Sequence, residues 1–107
     1  GDAGAARREF EAAAGGNPPS ARAANFLGFL ASRQGDGDAA IGWYERAVSI
    51  DPGLADAHRN LAVLLAERPG QADRAAQHLK RSLELDPRQA DVEGAVRLLR
   101  RLEATTH

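Results

Sequence analysis

The sequence predicts an all-α protein of about six antiparallel helices. Residues of the segment 21–52 recur 34 or 35 positions later, and a period of this length is typical of stacked supersecondary units. Apolar residues recur three and four positions apart, which is the spacing of one helix face. No segment alternates strictly between apolar and polar residues or is rich in β-branched residues, so we expect no strand.

The internal repeat can be followed residue by residue. One set of positions recurs after 34 residues: Ala21, Ala23, Leu27 and Leu30 return as Ala55, Ala57, Leu61 and Leu64. A second set recurs after 35 residues: Gly35, Asp38, Ala40, Arg46, Asp51 and Pro52 return as Gly70, Asp73, Ala75, Arg81, Asp86 and Pro87. The change of offset places one inserted residue near positions 67–70, at a turn.

Composition limits the classes of protein to which the chain can belong. It has 107 residues, of which 43% are hydrophobic and 27% are charged, as in a globular domain rather than a disordered segment. Its net charge of −1 provides no field for nucleic acid or a membrane surface. It has no cysteine, which excludes disulfides and thiolate metal sites. It has no apolar run of membrane-spanning length, so we expect no membrane insertion.

The first three helices are expected over residues 3–15, 21–34 and 38–50. The Gly- and Pro-containing segment 15–19 ends the first helix, because glycine permits left-handed geometry and proline blocks helical continuation. Ser20 can cap the second helix, and the turn 35–38 precedes the third.

The last three helices are expected over residues 55–67, 72–85 and 89–103. Asp51-Pro52 ends the third helix and Asp86-Pro87 ends the fifth in the same way. Residues 104–107 are expected to fray.

With these elements in order, the sequence resembles the tetratricopeptide repeat, a helix–turn–helix unit of 34 residues. The first full repeat, residues 21–54, matches its pattern at these positions: Leu27-Gly28, Ala40, Tyr44, Ala47 and Pro52. The second, residues 55–89, matches at these: Leu61-Ala62, Leu65, Ala75, Leu79, Ser82 and Pro87. Residues 1–20 look like the second helix of a preceding repeat, and residues 90–107 look like a capping half repeat. The resemblance implies one domain, a right-handed α-solenoid whose first helices line a concave groove.

The groove residues follow from that resemblance. We expect the partner-binding surface to contain the following side chains: Asn25, Phe26, Phe29, Arg33, Arg59, Asn60, Val63, Leu98 and Arg101. The apolar members would anchor an apolar peptide or helix, while Asn60 and Arg59 would orient it. The alternative is that neighbouring helices cover these side chains.

Nothing in the sequence suggests catalysis or metal binding, so we expect no enzyme, no cofactor and no metal. His58 and His78 lie on different helices without metal-ligand spacing. We expect His58 to replace a packing residue and His78 to lie on a helix surface. Arg97, Arg100 and Arg101 share their helix with acidic residues, which favours a solvated outer face over phosphate binding.

The function expected from the resemblance is a non-enzymatic scaffold that binds a peptide or helix of a partner protein. One alternative is self-association, because the first helix lacks its hairpin mate and leaves the Phe10 side incompletely covered. Another is that the chain is the recognition arm of a larger multidomain protein, since the start at Gly1-Asp2 without methionine suggests a processed or excised piece. We expect a bacterial, cytoplasmic protein, with the periplasm as the alternative compartment.

Overall fold

The computed structural model describes residues 2–105, and of Asp2 it describes the backbone alone. This part of the chain contains six helices and no strand, which confirms the all-α prediction. The helices are α1 (Asp2–Ala14), α2 (Ala21–Arg33), α3 (Gly37–Ile50), α4 (Ala55–Ala66), α5 (Ala72–Leu85) and α6 (Val92–Thr105). The chain divides into two compact units, residues 1–52 and 53–107.

In the first unit α2 packs against α1 on one side and against α3 on the other. The α2–α3 pair is a close one, because Gly28 leaves room for an aromatic ring. A Cβ atom at position 28 would lie 2.6 Å from Cε1 of Tyr44. Ala24, Ala40 and Ala47 are fully buried around this contact. Small residues therefore bring the helix axes together, while Tyr44 fills the space between them.

Polar caps begin α2 and α3. The Ser20 hydroxyl accepts a hydrogen bond from the Ala23 backbone N–H at 3.1 Å, which confirms the predicted cap. The Asp36 carboxylate accepts one from the Ala39 N–H at 3.1 Å. Gly35 adopts a φ of +78° in the turn between α2 and α3, a conformation that side chains disfavour.

In the second unit α5 packs between α4 and α6. Leu61, Ala62 and Leu79 are completely buried, and they occupy the positions that Leu27, Gly28 and Tyr44 occupy in the first unit. Ser82 is buried as well, and its hydroxyl donates to the Ala55 carbonyl at 2.9 Å. The two repeats therefore use one packing scheme with different side-chain volumes.

The helix α6 begins at Val92, three residues later than predicted, because the turn after α5 is longer than the sequence pattern suggested. Asp91 in this turn has a φ of +54°, and its carboxylate accepts from the Gly94 N–H at 3.1 Å. Gln89 Nε2 donates to the Ser82 carbonyl at 3.2 Å and to the Asp86 carbonyl at 3.0 Å. Specific hydrogen bonds therefore hold the turn.

The expected fraying from residue 104 is wrong for residues 104–105, which belong to α6. The Thr105 hydroxyl donates to the Arg101 carbonyl at 2.9 Å, within the last turn of the helix. The same expectation for residues 106–107 lies outside the described residues. The other helix ends differ from the prediction by one residue or less.

Candidate functional site

Three large apolar side chains are exposed in the described part of the chain. Phe26 is 40% exposed, Phe29 44% and Val63 43%. All three belong to the predicted binding surface, and they lie on α2 and α4, the first helices of the two repeats. Neighbouring helices therefore leave these side chains uncovered, contrary to the alternative considered for them.

The aromatic side chains Phe10, Phe26 and Phe29 form a continuous row, called here the aromatic row. The ring centroids of Phe10 and Phe26 are 4.4 Å apart, and those of Phe26 and Phe29 are 5.9 Å apart. The Arg33 guanidinium carbon lies 5.7 Å from the Phe29 ring centroid, within cation–π range. These contacts restrict the rings, so they present apolar surface in a fixed orientation.

The charges of α2 are all positive. Arg22 and Arg33 are exposed, and the helix contains no acidic residue. The structure thus brings Phe26, Phe29 and Arg33 together on one helix as an apolar and basic surface. Asn25 is half-buried on the same helix.

A groove of about 420 Å³, called here the α1–α2 groove, runs along the other side of the aromatic row. Its lining is mainly apolar and consists of Ala3, Gly4, Ala6, Arg7, Phe10, Phe26, Leu30 and Gln34. Across it, Nη2 of Arg7 donates a hydrogen bond to Oε1 of Gln34 at 2.8 Å. The groove thus has apolar walls and one guanidinium.

Arg59 is engaged within its own unit. Its Nη1 donates to Gln89 Oε1 at 2.7 Å and to the Ala90 carbonyl, while its Nη2 donates to the Asp91 carbonyl at 3.4 Å. Nη2 also lies 3.6 Å from an Asp91 carboxylate oxygen. We had expected Arg59 to orient a partner, but the structure places it against the turn before α6. The reason is that the longer turn brings three acceptors within reach of α4.

The other predicted residues of the second unit differ in accessibility. Val63 and Arg101 are exposed, whereas Asn60 and Leu98 are half-buried. Leu98 therefore presents less apolar surface than Val63.

The two internal histidines meet between α4 and α5. His58 is 7% exposed, which confirms that it packs, and its Nδ1 lies 3.0 Å from Nδ1 of His78. The prediction that His78 lies on a helix surface is wrong, because the close packing of α4 on α5 brings the two rings together. One nitrogen donates and the other accepts, so at least one ring is neutral.

Phe10 is the residue of this surface that was absent from the predicted set. The internal repeat carried a signal for it, because Phe10 lies 34 residues before Tyr44 and Tyr44 lies 35 before Leu79. Position 10 is therefore the counterpart of two buried side chains, and it was recognised in the sequence as an incompletely covered position.

Two searches of the described residues found nothing. None of the six helices is long and apolar enough to cross a membrane. Within residues 2–105, no three histidine or carboxylate side chains are grouped as a metal site would require.

Comparison with known proteins identifies the family. A family model described as "Tetratricopeptide repeat" matches residues 19–88, which is more than half of the 107-residue chain and includes α2 to α5. No curated protein is significantly similar to the chain. Domains of this family generally mediate protein–protein interaction and are typically non-catalytic scaffolds. The chain belongs to the tetratricopeptide repeat family.

Proposed function

We propose that the chain binds a segment of a partner protein, with the exposed aromatic side chains of α2 as its main anchors. The observation that carries this proposal is the exposure of Phe26 and Phe29, whose ring centroids lie 5.9 Å apart. Large apolar side chains left exposed on a small domain are typical of interaction sites. In tight interfaces a few aromatic anchors provide most of the binding energy.

The chemistry of α2 specifies the kind of segment. The rings of Phe26 and Phe29 would receive an apolar side chain of the partner. Arg22 and Arg33 would favour acidic residues beside that side chain, since α2 carries no negative charge of its own. The amide group of Asn25 offers a donor and an acceptor, which suits contacts with a peptide backbone.

The second unit would add a smaller contribution. Val63 is its exposed apolar anchor, with Asn60, Leu98 and Arg101 on first helices of the same unit. Arg59 acts indirectly in this proposal, because its guanidinium holds the turn before α6.

The test begins with affinity capture by the intact domain and mapping of the captured segment. The mapped peptide is then titrated against Phe29→Asp, which replaces an exposed ring by a charge. We expect its Kd to rise at least about tenfold, the loss typical of an interface anchor. Far-UV circular dichroism should remain unchanged, because Phe29 lies outside the buried core.

The matched control is Ser32→Asp, which introduces the same charge at another exposed position of α2. Its Kd should stay within about twofold of the unmodified chain. If Phe29→Asp binds every mapped peptide as tightly as the control does, the binding surface on α2 is assigned wrongly.

Self-association is the second candidate function, and the open α1–α2 groove favours it. A helix of another copy could cover the side of Phe10 that faces this groove. Sedimentation velocity over a hundredfold range of concentration decides the question. A sedimentation coefficient that stays at the monomer value throughout would eliminate this candidate.

A further inference from the structure

We propose that the α1–α2 groove is a second docking site, which receives one amphipathic helix of a partner protein. It is distinct from the surface around Phe29, because it lies between Phe26 and α1 and is lined by residues of both helices. The inference therefore goes beyond the proposed function, and it rests on different residues.

The first step is a comparison of positions related by the internal repeat. Phe10 on α1 corresponds to Tyr44 on α3 and to Leu79 on α5. Tyr44 is 3% exposed and Leu79 is completely buried, whereas Phe10 is half-buried. The same position is thus covered in both complete hairpins and is partly open on α1.

The small residues of α1 show the same difference. Ala40 and Ala75 are completely buried, but their counterpart Ala6 is half-buried and lines the groove. Ala47 and Ser82 are also completely buried, but their counterpart Ala13 is exposed. Along its length, therefore, α1 presents a helix-packing face that meets no hairpin mate within residues 2–105.

The complete hairpins show what such a face accepts. Tyr44 packs against Gly28 of α2, where any Cβ atom would collide with its ring. In the second unit, Ala62 of α4 and Leu79 of α5 occupy the corresponding positions and are completely buried. A helix in the α1–α2 groove should likewise place Gly or Ala opposite Phe10, beside a leucine.

The helices of this chain are poor candidates for that role, which excludes a second copy as the committed occupant. The helices α2 and α4 have suitable faces, but those faces are already buried against α3 and α5. The free helix face of α6 has Arg97 where α2 has Gly28, and Arg100 where α2 has Ala31. Burying two guanidinium groups against Phe10 would be unfavourable. The occupant is accordingly a helix of another protein.

Charge specifies the end of that helix. Arg7 is the one ionisable residue among those lining the groove, and it lies near the amino-terminal end of α1. A hairpin mate of α1 runs antiparallel to it, so its last turn comes to this end. A carboxylate there would pair with Arg7 and with the positive end of the α1 dipole. The partner is thus a helix with a Leu-Gly or Leu-Ala pair and an acidic last turn.

The chain itself supplies a matched pair of probes. A labelled peptide of residues 53–68 contains Leu61-Ala62 and Glu67, as the groove requires. A labelled peptide of residues 90–105 has Arg97 at the position of Ala62. Both peptides carry the same side-chain staple on their solvent-exposed faces, so that both are helical. Fluorescence anisotropy with the whole chain should show saturable binding of the first peptide and at least about tenfold weaker binding of the second.

Two variants of α1 locate the site. Ala6→Arg puts a large charged side chain into the groove and should weaken binding of the first peptide at least about tenfold. Ala12→Arg adds the same side chain at an exposed position of α1 that does not line the groove. It should leave the Kd within about twofold.

Three results would overturn the proposal: no binding of the first peptide, equal binding of both peptides, or binding unaffected by Ala6→Arg. Concentration-dependent dimerisation that Ala6→Arg abolishes would also overturn it, since the occupant would then be a second copy. Failure here is separable from failure of the proposed function, because Phe29→Asp should leave the first peptide bound.

Discussion

At the scale of single residues, the two repeats solve one packing problem with two pairs of side chains. In the first unit Gly28 is combined with Tyr44, and in the second Ala62 is combined with Leu79. The larger side chain on one helix accompanies the smaller residue on the other. Core packing at native density leaves no room to exchange one member of a pair alone.

The first prediction follows from this complementarity. Gly28→Ala places a Cβ atom 2.6 Å from the Tyr44 ring, so α2 and α3 must separate. We expect the free energy of unfolding to fall by about 2 kcal/mol and the Tm by roughly 10 °C. Thermal unfolding followed by circular dichroism measures both changes.

The second unit supplies the control for this variant. The double variant Gly28→Ala/Tyr44→Leu gives the first hairpin the pair that the second hairpin already has. It should regain at least half of the lost Tm, because the smaller side chain vacates the space that the new Cβ needs. A double variant less stable than Gly28→Ala would show that the clash with Tyr44 is not the cause.

At the scale of elements, the turn between α5 and α6 depends on a side chain from α4. Arg59 donates to Gln89 and to backbone carbonyls of the turn, and it pairs with Asp91. Asp91 has a φ of +54°, which is uncommon for a residue with a side chain, so the turn needs such support. Arg59 therefore couples the position of α6 to α4 through contacts far apart in sequence.

We predict that Arg59→Met increases the mobility of α6. The substitution keeps a long apolar stem but removes every donor that holds the turn. Backbone amides of α6 should exchange with solvent about tenfold faster, while those of α1 to α3 remain unchanged. Hydrogen exchange followed by NMR measures the effect for each helix.

Arg88→Met is the control, because Arg88 is an exposed arginine in the same turn. If both variants accelerate exchange in α6 equally, the loss is one of charge rather than of the contacts made by Arg59.

At the scale of the whole molecule, the stability of the chain depends on a buried phenol. Burial raises the pKa of Tyr44 above its ordinary value, because the charged form loses solvation. The folded chain therefore keeps the phenol proton at pH values where the unfolded chain has released it. Stability linked to Tyr44 is complete below about pH 10 and is lost as the pH rises through the folded pKa.

The corresponding prediction compares the chain with Tyr44→Phe. Between pH 8 and pH 11 the free energy of unfolding should decrease more steeply for the unmodified chain than for the variant, since phenylalanine does not titrate. Urea unfolding at a series of pH values measures both slopes. Parallel slopes would mean that Tyr44 does not control the alkaline loss of stability.

Much of the architecture could be predicted from local sequence. The turns at Asp51-Pro52 and Asp86-Pro87, the cap at Ser20 and the three- and four-residue apolar spacing depend on neighbours along the chain. The 34- or 35-residue period extended that local information to the pairing of helices. The start of α6 was misplaced because its turn is held by contacts from α4 and α5, which a local pattern does not contain.

The candidate site was less predictable than the fold. The exposed apolar residues Phe26, Phe29 and Val63 all come from the predicted set, because position within the repeat indicates which helix face is used. The engagement of Arg59 and the pairing of His58 with His78 were missed. A long side chain chooses among partners that only the distance between packed helices brings within reach.

The sequence by itself determined that this chain forms six helices in repeated hairpins, since helical periodicity and turn chemistry are properties of short segments. The tertiary structure alone decided which side chains remain available to a partner. Exposure is set by what packs on each face, so the same repeat position is buried as Tyr44 and as Leu79 but partly open as Phe10.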